Sequence, residues 1–148
     1  MTNNWDHQKY QIGYALSGGF IKGFAHLGVM QALLEHDIRP DIISGVSAGG
    51  VFYADGNEPH RVLDYFSGHK FQDLTKMVIP KVGLFELGEF IDFLKSNLKA
   101  QKLEELQTPL IITATDLDHG RSMHFRKGSI AERVAASCCM PVMFPPVK

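Results

Sequence analysis

Gly45-Val46-Ser47-Ala48-Gly49 is the stretch of this chain whose residue types and spacing best suit chemistry. It fits G-x-S-x-G, in which glycines permit a sharp strand-to-helix turn that lifts a serine Oγ into the open. The helix that follows supplies backbone N–H groups and the positive end of its dipole. A plain turn has the same composition, so the pattern gains meaning from its surroundings. Here Asp41–Val46 reads as a short buried parallel strand, and a small helix is expected after Ser47. Ser47 is therefore the expected nucleophile, with Gly45 and Gly49 as the glycines of its elbow.

Ser17-Gly18-Gly19-Phe20-Ile21-Lys22-Gly23 closes the first strand and opens a helix. Such a turn points N–H groups at an anion, either a phosphate or a developing oxyanion. A P-loop would need Gly-Lys-Ser/Thr, but Gly23 is followed by Phe24. A dinucleotide fold would need glycine where Phe20 stands and an acid ending the second strand, which instead runs Gly-Val-Ser. Both phosphate readings fail. What remains is an oxyanion loop of Gly18, Gly19, Phe20, Lys22 and Gly23, against the plainer reading of helix capping with Lys22 in solvent.

The order Ser47, Asp116, then His119 or His124 would also satisfy an ordinary α/β-hydrolase triad. That fold, however, places its elbow after several strands, and here one strand and one helix precede the elbow strand. Asp116-Leu117-Asp118-His119-Gly120 reads first as turn chemistry. Asp55-Gly56 reads as a helix terminus, and His26 as a packed histidine. Cys138 and Cys139 are adjacent, about 3.8 Å between Cα atoms against the roughly 4.4–6.8 Å of a disulfide. They are expected to be free thiols in a reducing cytoplasm.

The elements that must position these groups alternate. Strands are expected at Gln11–Ser17, Asp41–Val46, Leu110–Thr115 and Ser122–Arg126, and helices at Gly23–His36, from near Pro59, at Glu86–Leu98 and at Ile130–Cys138. Phe24, Leu27, Met30 and Leu34 share one helical stripe, and Leu87, Phe90, Ile91, Leu94 and Leu98 another. This alternation implies a wound α/β sheet with mostly parallel strands. The 148 residues suit one domain, and 45% hydrophobic with 21% charged residues excludes wholesale disorder. A net charge of −1 leaves no basic excess for nucleic acid. Neither a signal peptide nor a membrane-spanning apolar run is visible.

The chain resembles the patatin-like phospholipases. It carries LSGG-x-x-KG, GFAHLGV, DIISGVSAG, PLIITATDLDHG, the F-x-x-G at Phe125–Gly128 and AASCCMPVMFPPV, in family order across most of residues 11–147. The resemblance implies a three-layer α/β fold and a Ser–Asp dyad without histidine, in which Ser47 attacks a lipid ester carbonyl and Gly18, Gly19, Lys22 and Gly23 belong to the oxyanion loop. It implies no cofactor and no metal. Three departures touch catalysis. Phe20 stands where the family usually has a third glycine. The elbow helix is shorter by roughly three residues, close to one turn. The family's aspartate, in Asp-Gly-Gly or Asp-Gly-Ala after FPPV, has no counterpart before Lys148.

The expectation is therefore residues 1–10 as a tail and 11–148 as a patatin-like domain truncated at its C-terminus, with an incomplete sheet whose edge would favour association. The chain would be a serine acyl hydrolase of lipid or carboxylic esters, weak or inactive as written, with Asp116 and Asp118 as substitute acids. The alternative is a non-catalytic remnant that binds acyl chains or a protein partner. Lipid substrates would require peripheral contact with a membrane, although no basic amphipathic anchor is visible.

Overall fold

Short runs of isoleucine, threonine and small residues, bounded by glycine, proline or aspartate, become the strands of a single sheet. The computed structural model describes residues 10–19, 24–46, 50–67, 88–139 and 146–147. Along them run β1 (Gly13–Leu16), α1 (Phe24–Glu35), β2 (Ile42–Gly45), α2 (Val51–Ala54), α3 (Pro59–Ser67), α4 (Gly88–Asn97), a 3-10 turn (Leu103–Glu105), β3 (Leu110–Asp116), β4 (Arg121–Phe125) and α5 (Ile130–Cys138). The strand order is β1-β2-β3-β4. The first three are parallel, and β4 returns antiparallel along β3. The fold is α/β with a mostly parallel open sheet, as expected.

Ile43 in β2 and the consecutive Leu110, Ile111 and Ile112 in β3 are buried. Neighbouring strand residues face opposite sides of a sheet, so a buried run of this kind means that both faces are covered there. Helix α1 turns Leu27, Met30 and Leu34 inward and leaves Val29 60% exposed. α5 packs on β3 and α4 on α5, while α1 meets α3. Leu94 and Leu98 complete the core from the α4 side. The Phe24 and Phe90 side chains and Leu87 of the expected stripes lie outside the described residues.

Strand β1 is shorter than its apolar run because side chains capture the backbone at both ends. Asp41 accepts the N–H groups of Gln11 (2.8 Å) and Ile12 (2.9 Å). At the other end the Ser17 carbonyl faces His26. Helix α1 stops in a Schellman motif, with Ile38 N–H donating to Leu33 O (2.9 Å) and Asp37 N–H to Leu34 O (3.0 Å). Asp37 occupies the left-handed position, φ 58°. Helix α5 begins at Ser129, whose hydroxyl accepts the Glu132 N–H (3.4 Å).

The Ile12 and Gln11 amides hold the Asp41 carboxyl below the usual carboxylate range. Its own amide and that of Gly128 do the same for Glu104. A depressed folded pKa gives stability that is present above the unfolded value, about 4, and lost as pH falls through the folded values. The urea midpoint is therefore expected to drop as pH is lowered from about 5 to 2. Asp41→Asn should flatten that drop; an unchanged pH profile would remove Asp41 from the account.

Candidate active site

Two parallel strands lying side by side end at the same edge of the sheet, and open α/β folds place their sites at that carboxyl edge. Leu16 of β1 is level with Gly45 of β2. The chain beyond β1 enters Ser17-Gly18-Gly19, and the chain beyond β2 enters Val46 and then Ser47. The two exits touch. Val46 N–H donates to Leu16 O (3.1 Å). A Cβ on Gly18 would come 3.2 Å from Val46 Cγ1, a tight approach that the Val46 side chain would have to relieve by a few tenths of an ångström.

Of the expected site residues, Gly18, Gly19, Gly45, Asp116 and Asp118 are described; Phe20, Lys22, Gly23, Ser47 and Gly49 lie outside the described residues. Behind the elbow, α2 spans Val51–Ala54, a single turn. It lies directly on the strands because of Gly50. A Cβ there would come 2.9 Å from both Ile43 Cγ2 and Leu16 Cδ1. Ile43 is fully buried and has nowhere to move. Gly50→Ala is expected to destabilise by about 1–3 kcal/mol through overpacking. A urea midpoint within error of wild type would show that the strands can yield.

Asp55 ends α2, as a helix terminus should, but it is also the buried acid of this region, 2% exposed. Its Oδ1 accepts the Ala100 N–H and its Oδ2 the Lys99 N–H, both at 2.8 Å. Asn57 Nδ2 lies 3.5 Å from Oδ2. Thr108 N–H donates to Ala54 O (3.2 Å), which ties the same corner to the start of β3. No motif in the sequence marks this clamp. Its one local signal is the left-handed Gly56 (φ +83°), which leaves room for the Gln107 side chain.

Asp116 and Asp118 lie at the far end of β3. Ile112 pairs with Gly45, so Asp116 stands four residues farther along the strand, about 13 Å at 3.3 Å per residue. The Asp116 Oδ1 accepts the Asp118 (3.1 Å) and His119 (3.2 Å) N–H groups. Oδ2 accepts Arg121 Nε–H (3.1 Å) and faces His119 Nδ1 (3.0 Å). Burial pushes this carboxyl up, but Arg121 and His119 outweigh it and hold it below the usual range. Such a carboxylate is a weak base, and the geometry is turn chemistry. His119 is 66% exposed. The other triad candidate, His124, places Nδ1 3.0 Å from Thr113 Oγ1 across the hairpin instead.

His26 rises from the first turn of α1 with Nε2 3.0 Å from Ser17 O and 3.4 Å from Ser17 Oγ. A carbonyl can only accept, so Nε2 carries the proton and cannot serve as a base toward Ser17. Cys138 and Cys139 form no disulfide, and burial pushes the Cys139 thiol up, away from the reactive thiolate. Among the described residues no cluster of three His, Cys, Asp or Glu could hold a metal, and no helix is long and apolar enough to cross a membrane.

Patatin-like phospholipase is the family that matches the chain, over residues 14–148. An uncharacterized NTE family protein of Mycobacterium tuberculosis is 29% identical over 144 residues, which cover 92% of this chain and 39% of that protein. Lysophospholipase NTE1 of Cryptococcus neoformans var. neoformans is 30% identical over 146 residues, 93% of this chain and 9% of that protein. A patatin-like phospholipase domain-containing protein of Caenorhabditis elegans is 27% identical over 145 residues, 92% of this chain and 11% of that protein. The chain thus spans about two fifths of the mycobacterial relative and about a tenth of the other two.

Proposed function

The chain belongs to the patatin-like phospholipase family, and on that premise we propose that it is a serine acyl hydrolase of lipid or simple carboxylic esters with Ser47 as nucleophile. The observation that carries the reading is the Val46 N–H bond to Leu16 O (3.1 Å), which holds the residue before Ser47 against the end of β1, where the glycine-rich segment begins. In this mechanism the Ser47 hydroxyl adds to the ester carbonyl carbon and gives its proton to a carboxylate. Backbone N–H groups of the glycine-rich segment hold the developing oxyanion. The alcohol then leaves, and water releases the acyl group from the serine.

Asp116 does not suit the base, because its oxygens are committed to its own turn and its pKa is lowered. Of the two substitute acids Asp118 is the exposed one. The substrates implied by the family are lipids, which the protein would meet from the cytoplasm at a membrane surface.

The test is reaction of the folded protein with a serine-directed fluorophosphonate, read by intact mass and mapped to the modified peptide. A single adduct on Ser47 is the expected result. A folded chain that takes up no label overturns the enzyme reading in favour of a non-catalytic module. A label on another serine overturns the assignment of Ser47.

A further inference from the structure

A backbone oxyanion donor is useful only if its direction is set before the charge develops. Ser17-Gly18-Gly19 is poorly equipped to set its own. Glycine has the widest conformational freedom of any residue, and two of these three positions have no side chain to pack. Something outside the segment must hold it. On one side that is Val46, whose side chain lies where a Gly18 Cβ would approach to 3.2 Å. On the other side it is His26, at the edge of a cleft of about 240 Å³ between β1 and α1.

The His26 contact falls on an informative atom. The Ser17 carbonyl and the Gly18 N–H belong to one peptide unit, which is planar and trans, so the two point in opposite directions. Fixing the carbonyl with His26 Nε2–H (3.0 Å) fixes the direction of the Gly18 N–H, away from the imidazole. A hydrogen bond accepted by the carbonyl also polarises the unit and makes that N–H a better donor. The Ser17 hydroxyl at 3.4 Å adds a weaker contact to the same nitrogen.

We propose that His26 is a positioning residue that aims the Gly18 N–H as an oxyanion donor by holding the Ser17 carbonyl. It touches neither substrate nor the reacting atoms, and its role rests on the hydrolase reading above. Removing a whole oxyanion donor costs about 100- to 1,000-fold in kcat. Loosening one that stays in place should cost less, and His26→Ala is expected to lower kcat about 10- to 50-fold with KM changed less than about twofold. His26→Gln, whose side-chain amide places a donor near the position of Nε2, should recover most of that loss. The Gly18 amide should exchange its hydrogen faster in His26→Ala than in wild type or His26→Gln.

The experiment measures kcat and KM on a chromogenic ester for wild type, His26→Ala, His26→Gln and Ser47→Ala, with amide exchange and a thermal melt of each. Three results overturn the positioning role: kcat unchanged in His26→Ala, a loss that His26→Gln does not repair, or Gly18 exchange that does not respond. Wild type without Ser47-dependent turnover removes the hydrolase reading and, with it, the oxyanion role of His26. In that event the exchange data alone show whether the clamp on Ser17 exists.

Discussion

Replacing Ser47 by alanine is expected to lower kcat/KM on a small ester by about 10³-fold or more while leaving the folded state intact. The magnitude follows from the role. A serine nucleophile provides a covalent route, and without it only the oxyanion donors and substrate binding still help a water molecule to attack. The change removes one oxygen atom, the smallest truncation that abolishes the nucleophile. Turnover of a p-nitrophenyl ester read beside Tm separates chemistry from folding. Turnover that survives in a variant of unchanged Tm would place the nucleophile elsewhere and leave G-x-S-x-G as a turn. The sheet makes the expected result specific. β1 and β2 are level at Leu16 and Gly45, and Val46, the residue before Ser47, donates its N–H to Leu16 O (3.1 Å) where the two strands end.

Most of the scaffold was legible in the sequence, because periodicity reports which face of an element is buried. The Ile130–Cys138 helix has the expected bounds, and the ends of α1 and the four strands fall within two residues of theirs. Leu27, Met30 and Leu34 are buried as their spacing implied. What periodicity does not report is which backbone group a polar side chain will meet across the fold. Asp55 reads locally as the end of a helix, yet its partners are 44 and 45 residues away. His26 reads as a packed histidine, but nothing in GFAHLGV shows that its ring nitrogen falls on the Ser17 carbonyl. Gly50 carries no signal of its own in the sequence. Its requirement for glycine comes from Ile43 and Leu16, which reach it only once β1 and β2 have paired. The family's motifs locate the chemistry in the chain, while the contacts that hold the motifs in place depend on segments brought together by folding.

The second large effect is expected at Asp55, where Asp55→Ala should destabilise the protein by about 2–4 kcal/mol. The side chain is 2% exposed and accepts two backbone N–H groups at 2.8 Å. Alanine would leave both part-buried donors without their acceptor, and such a loss costs more than the net worth of the bonds themselves. Asp55→Asn keeps one acceptor but turns an N–H toward a donor, so it should fall between alanine and wild type. Against a total stability of about 5–15 kcal/mol, the alanine variant would give up a large share. Urea denaturation at constant m-value checks this, and a midpoint shift worth less than about 1 kcal/mol would show that water replaces the carboxylate. The consequence for the site follows from the length of α2. A helix of four residues has too few internal hydrogen bonds to hold itself. Asp55 and the Thr108 N–H bond to Ala54 anchor its far end, and Gly50 seats its near end on the strands. Fluorophosphonate labelling of Ser47 in Asp55→Ala, at a temperature where the variant is still folded, should therefore be slower than in wild type. Equal labelling rates would mean that β2 alone holds the elbow and that the clamp serves stability only.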